Sequence, residues 1–434
     1  MHNTQKLQKI YLIKWLFVVL SLLFIPKSAI IIIILFSILY LADKVDNLDV
    51  VLTFFLIYFI QNGLGSLQGM VMIRYILIPV LLLKSFHNII KEKSTYKHNI
   101  RYLLFFLIYL LINALFISTD TKYSFIEFIL FLILLLFSFN GAKSIDNKDF
   151  EKKIINIKTL YIAVIFLSLI MMPIRSVAYA RNGIGFQGVV VHPNALGVFL
   201  APFCGYMFLR VLRNKNKWDI FLFIIAIILL FLSLSRTSFF SFLLGVCVYF
   251  VINNSFRARF SKMLLLFSLP LVIIFALNFS KISNSLSGFL IKSKGAESFT
   301  ESVEQSRGKL FTAQLKNFEE NPLFGIGFKV PSNKIAVTKT STTDEIYYEK
   351  GNILLASLEE LGIVGALLFL IALVSLLKSS KYVQNDFQIL PIIATITALG
   401  EATLFSIGGL GIFIWVLIFL NKFNTNRKTR INKV

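Results

Sequence analysis

The sequence predicts an all-α fold, a polytopic integral membrane helix bundle of about 12 to 14 transmembrane helices with one large extracytoplasmic loop, and three observations predict it. Apolar blocks follow one another along almost the whole chain, each of roughly 15 to 25 residues, the length at which a helix crosses a hydrocarbon core. Of 434 residues, 57% are hydrophobic and 15% aromatic, with 45 Phe, which fits a membrane interior and not a soluble core. The excess of Lys and Arg, a net charge of +22, gathers in short segments between the blocks. A nucleic-acid-binding protein would hold such charge in one basic domain. None is present, which argues against nucleic acid as a partner.

The expected spans fall at about 10–25, 28–43, 49–63, 66–86, 100–117, 121–140, 155–175, 191–211, 217–234, 237–253, 262–280, 351–377, 386–401 and 407–421. Lys6 and Lys9 precede the first block without a small-residue cleavage site, so an uncleaved first span is expected. Cys204 and Cys247 each sit inside an apolar block, at no spacing that suggests a disulfide framework or a metal site. Alternating the connections puts Lys84–Arg101, Lys143–Lys158, Arg210–Lys217, Arg257–Lys262, Lys378–Lys381 and Lys422–Lys433 on one side. By the positive-inside rule that side is the cytoplasm, and both termini lie there.

The polar stretch Lys281–Lys350 is then outside. Within it a helix is expected from about Gly308 to Glu320, with Phe311, Leu315 and Phe318 on one face, lying on the membrane surface. Asn321-Pro322 ends it, and Leu323 to Phe328 follows as a glycine-punctuated turn.

Several polar residues are out of place in this layout. Arg181, Arg236 and Arg307 fall on the outer face, against the charge bias, and Arg74 lies within a span. Arg74 either pairs with an intramembrane acid such as Glu127 or Glu401, or reaches up to an anionic ligand. Arg181 opens a glycine-rich stretch to Gly188 that runs into His192-Pro193-Asn194; His192 and Asn194 either cap the next helix or handle protons beside an anion. Ser233 to Ser238 is a polar hexad in which Ser235 and Arg236 are either a turn or a phosphate cradle, since a guanidinium binds two phosphate oxygens at once. Glu359 and Glu360 require a polar cavity or a helix that starts late, near Leu361.

Four of these elements, in order, resemble the O-antigen polymerase and ligase superfamily: His192-Pro193-Asn194 with Leu196-Gly197; Ser235-Arg236-Thr237; Arg307 followed by Asn321-Pro322-Leu323-Phe324-Gly325-Ile326-Gly327; and Leu358 to Gly365. The resemblance divides the chain into N-terminal transmembrane helices, 1–175, and a polymerase/ligase-like membrane region, 176–434, that includes the loop 281–350. It implies a bacterial plasma-membrane glycosyltransferase that uses sugars carried on undecaprenyl pyrophosphate, without metal, nucleotide sugar or other cofactor. Membrane lipid and a chain-length regulator are the other partners it suggests.

The physical needs of such a transfer, more than the resemblance, suggest roles for particular residues. Arg181, Arg236 and Arg307 would stabilise the charge on the departing pyrophosphate, and Arg74, Asn194, Ser235, Gly325, Gly327 and Glu360 would line the substrate. Ligases of the superfamily carry a histidine shortly before the last motif; Glu349-Lys350-Gly351-Asn352 stands there instead. Glu349 is the first candidate for the base that activates the acceptor and His192 the second. The leading expectation is a repeat-unit polymerase. A ligase differs from it only in the acceptor, and a lipid-linked oligosaccharide transporter would show paired repeats, which this sequence lacks by eye.

Overall fold

The computed structural model describes residues 2–25, 31–32, 34–35, 38–39, 46–61, 100–143, 147–179, 185–214, 216–252, 309–332, 337–338, 347–348, 350–378, 386–406 and 409–431. Thirteen named helices carry its described residues: α1 (His2–Phe24), α2 (Asn47–Phe59), α3 (Arg101–Ile112), α4 (Thr121–Ala142), α5 (Asn147–Met171), α6 (Arg175–Ala178), α7 (Pro193–Asn214), α8 (Lys217–Leu232), α9 (Arg236–Ile252), α10 (Lys309–Glu320), α11 (Ile353–Leu377), α12 (Ile389–Gly400) and α13 (Leu410–Ile431). A π-helical turn, Asn113–Ile117, prolongs α3. The strand content among the described residues is a two-residue antiparallel ladder, Val337 and Thr338 against Tyr348 and Tyr347.

Five of the helices are long and apolar enough to cross a membrane: those at Gln5–Phe24, Thr121–Ala142, Lys148–Met171, Pro193–Asn214 and Ile353–Leu377. The expected spans 66–86 and 262–280, and part of 28–43, lie outside the described residues. Short polar residues set the helix starts. Asp46 accepts from the Leu48 N–H, Asp120 from Tyr123, Asn216 from Trp218, and Asn352 from Leu354 and Leu355. Each supplies an acceptor to a backbone N–H that has no partner within its helix.

In lipid, apolar surface gives helices little reason to associate, so close approach and shape do the holding. Rings from α2, α5, α7 and α13 form the centre: Phe55 stacks on Phe59 at 4.6 Å and on Phe413 at 4.8 Å, and Tyr161 lies 4.2 Å from Phe199 and 4.5 Å from Phe203. On the other side of α7, Gly205 and Gly245 let α7 and α9 approach Ile393 of α12 so closely that a methyl group at either would overlap it.

Because successive helices run antiparallel, the polar residues sort to two ends. At one end, the carboxylate of Asp219, 2% exposed, meets Lys158 Nζ at 3.3 Å and Arg210 Nη2 at 3.0 Å, and Arg213 pairs with Asp386 at 3.1 Å. Nearby, Asp49 accepts from Lys14 at 2.6 Å and from Asn156 at 2.5 Å, and Trp15 donates to Asn156 at 2.8 Å. These pairs tie α1, α2, α5, α7, α8 and the approach to α12 together. The opposite end holds the starts of α7, α9 and α11 and the end of α12.

The helix expected within the polar stretch is present as α10, and Asn317 ties it to α11. Of the two alternatives left for the paired glutamates, α11 does not take the late start. It begins at Ile353 and breaks at Gly362, where φ is 65° and ψ −173°.

Asp219→Ala would leave two cations without their shared carboxylate, and loss of one partner of a buried pair costs about 3–5 kcal/mol. We expect a clearly lower midpoint of thermal unfolding for the purified variant. An unchanged midpoint would show that the pairs at this end do not hold the helices.

Candidate functional site

The break at Gly362 is where the site begins. A helix that breaks frees carbonyls before the break and N–H groups after it, and buried groups of this kind must find partners. Here the turn after α10 supplies them. Ile326 N–H donates to the Glu359 carbonyl at 2.9 Å and Gly327 N–H to the Glu360 carbonyl at 3.0 Å; Ile363 N–H donates to Pro322 at 2.9 Å and Val364 N–H to Leu323 at 3.3 Å.

Such contact needs residues without side chains. Gly325 (φ 73°) and Gly362 lie in the left-handed region, and a methyl group on either would overlap the facing backbone. Gly327 is likewise tight against Ser118.

Residues of α3 and its π-helical turn hold the same structure from the other side. Asn113, buried within an apolar stretch, donates from Nδ2 to the Phe324 carbonyl at 2.9 Å and accepts from the Phe328 N–H at 2.9 Å. Tyr109 donates its hydroxyl proton to the Leu361 carbonyl at 2.6 Å, and Thr119 N–H donates to Ile326 at 2.9 Å. Five residues of π-helix at this point fit the habit of such turns to occur beside functional sites.

The interlock presents two adjacent carboxylates to different surroundings. Glu359 is saturated: Oε1 accepts from Asn317 Nδ2 at 2.7 Å, and Oε2 accepts from Ser332 Oγ at 2.9 Å and Lys350 Nζ at 2.6 Å. Lys350 also donates to the Val330 carbonyl at 2.8 Å. Glu360 turns the other way, into a cavity of about 220 Å³ lined by Lys329, Lys350, Glu360, Glu401, Thr403 and Ser406 among others. Of the two alternatives that the paired glutamates left open, the polar cavity is the one found.

The cavity wall continues to the other polar motifs. Thr237 donates to Glu401 Oε1 at 3.4 Å, which sets the start of α9 beside the cavity. The turn before it runs through Leu234 in the left-handed region (φ 54°), an uncommon conformation for leucine, and makes Arg236 the first residue of α9. Ser235 is buried and shares a 2.7 Å hydrogen bond with Ser238. Gly197 of α7 packs against Ser233 and Ser235, and Gly185 against Pro193 and Ser233. His192 caps α7, its Nδ1 accepting from the Asn194 N–H at 3.1 Å.

Of the residues singled out in sequence, then, His192, Asn194, Ser235, Arg236, Gly325, Gly327 and Glu360 lie at one end of the bundle. Asn194 and Ser235 serve helix starts, and the two glycines shape the backbone under the cavity. Arg74, Arg181, Arg307 and Glu349 lie outside the described residues, as does any pairing of Arg74 with Glu127 or Glu401. Sequence reasoning missed Lys329, Lys350, Thr403 and Ser406 as cavity residues and Asn113 as the pin of the turn. A lone amide in an apolar block was the available signal for Asn113, since such a group must find a partner.

Residues 221–370, from α8 into α11, match the family model described as O-Antigen ligase. No curated protein matches the chain. The match covers about a third of the chain, and the long apolar helices indicate a multi-pass membrane protein.

Gly325→Ala and Gly362→Ala each force a side chain into the left-handed region, at roughly 1–2 kcal/mol, before any overlap is counted. We expect either variant to lower the thermal midpoint and to expose the Pro322–Gly327 turn to limited proteolysis. A wild-type digestion pattern in both would show that the interlock is not needed to hold the turn.

Proposed function

We propose that this chain, whose residues 221–370 match the O-Antigen ligase family model, polymerises undecaprenyl-pyrophosphate-linked oligosaccharide repeat units into surface polysaccharide at the outer face of the plasma membrane. One observation carries this reading. The bundle holds, beside the glycine-rich interlock, a cavity lined by two lysines, two carboxylates and two hydroxyls. Ionisable groups in such a setting are costly, and they persist where a polar ligand uses them.

The transfer requires three things. A sugar hydroxyl attacks the anomeric carbon of the growing chain, the bond to pyrophosphate breaks, and negative charge collects on the leaving group. Fixed cations favour that state over the ground state. Arg236, at the head of α9 and next to the residue that bonds Glu401, is the described arginine best situated for this, with Arg181 and Arg307 as further candidates for the same role and Arg74 as a candidate for binding substrate. Helices would hold the two polyprenyl chains while the cavity orients the sugars, so that the reacting atoms meet in one geometry. In this reading both termini are cytoplasmic, the reaction needs no metal, and a separate regulator sets chain length.

The family description also favours a second reading, a ligase that passes a finished glycan to another acceptor. The two differ in what accumulates. In a strain lacking this chain, gel and mass-spectrometric analysis of glycans should find single repeat units on the lipid carrier or at the surface, and no long chains. Long chains still attached to the carrier would establish the ligase instead, and units trapped on the cytoplasmic side would indicate a transporter. Returning Arg236→Ala to that strain should leave membrane abundance normal and lower polymer by about 10²–10³-fold, the cost of removing one group that stabilises developing charge. Wild-type polymer from this variant would remove Arg236 from the site.

A further inference from the structure

Glu359 and Glu360 are neighbours in sequence, both fully buried, and the contrast between them is informative. Three donors occupy the oxygens of Glu359, at 2.6 to 2.9 Å. In Glu360, Oε2 accepts from the Lys329 backbone N–H at 2.9 Å. Its Oε1 is buried and accepts no hydrogen bond, and the nearest cation, Lys350 Nζ, stands 3.7 Å away. A buried acceptor without a donor is costly; several such atoms occur among the described residues, and of them Glu360 Oε1 is the one on a residue that lines the polar cavity.

The position of this oxygen is also unusually well determined. The Glu360 carbonyl is tied to Gly327, the next residue but one is the Gly362 break, and the carboxylate is held by a backbone N–H. Lys350 donates to Glu359 and to the Val330 carbonyl, and at 3.7 Å its ammonium attracts Oε1 without a hydrogen bond. What results is a fixed lone pair on a residue that lines a cavity with hydroxyl and ammonium neighbours. A general base needs that geometry first.

Resting on the transfer reaction argued above, we propose that Glu360 is the base that deprotonates the acceptor sugar hydroxyl. As the hydroxyl oxygen bonds to the anomeric carbon, its proton passes to Glu360 Oε1, and the bond from that carbon to the pyrophosphate oxygen breaks with its electron pair leaving on pyrophosphate. Glu360 then releases the proton to water in the emptied cavity. This assigns to Glu360 the part that the motif pattern left between Glu349 and His192. His192 already uses Nδ1 to cap α7.

The test uses full-length protein in lipid nanodiscs and, as donor and acceptor, the lipid-linked units that accumulate in a strain lacking this chain. Glu360→Ala should lower transfer by about 10²–10⁴-fold while keeping the wild-type thermal midpoint, and added formate, which fits the space vacated by the side chain, should restore at least about tenfold. Formate rescue is a result that a merely structural carboxylate would not give. A Glu360→Ala rate within about threefold of wild type overturns the assignment, as does an inactive, folded variant that formate does not rescue. If Glu360→Ala does not fold, Glu360→Gln keeps the shape: lost transfer at an unchanged thermal midpoint supports the base, and retained transfer overturns it. Wild-type protein that transfers nothing from these lipids overturns the polymerase reading as well, so the two failures are distinct.

Discussion

Everything at the site end of this bundle depends on one exchange of backbone hydrogen bonds. α11 surrenders its helical ladder at Gly362, and the freed carbonyls and N–H groups of residues 359–364 are taken up by residues 322–327. Inside a membrane protein such an exchange is close to obligatory once a helix breaks, because no bulk water is present to take the orphaned groups. The same exchange fixes where α10 ends, how the polar stretch re-enters the bundle and which way the Glu359 and Glu360 carboxylates point. Loop, break and cavity are therefore one structure. A change at any of the three propagates to the other two.

Segments distant in sequence take part in it. Asn113 both donates to and accepts from the turn, 211 and 215 residues away, and Tyr109 reaches across 252. The N-terminal helices thus contribute directly to the shape of the site. This explains why α3 departs from α-helical geometry at Asn113: the departure aims one amide at two backbone groups of the turn.

The fold was largely legible because one constraint, the thickness of a hydrocarbon core, writes itself into the spacing of apolar blocks. The helices over 101–142 and 193–252 follow those blocks closely. Periodicity located α10 but could not foresee that Asn317 bonds Glu359 and ties it to α11. The site was legible as a set of motifs and not as a set of roles. Glu359 and Glu360 are indistinguishable in sequence; they differ because Ser332 and Asn317, 27 and 42 residues from Glu359, reach one and not the other. Lys350 was passed over for Glu349 because nothing in its neighbours announces an ammonium shared between two carboxylates.

The two ends of the bundle hold their charges at different distances, and a buried acceptor without a hydrogen bond occurs at each, Asp386 Oδ1 at one and Glu360 Oε1 at the other. At the Asp219 end, carboxylates meet cations at 3.0 to 3.3 Å in pairs that tie helices together, the arrangement by which buried charge is made tolerable. At the Glu360 end, one ammonium serves two carboxylates at unequal distances, 2.6 Å and 3.7 Å, and an acceptor oxygen is left open. Stability alone would favour completing that set or replacing Glu360 with an apolar side chain. Four backbone hydrogen bonds and two glycines at positive φ hold this cluster in place, and that fixed geometry is what the proposed role of Glu360 rests on.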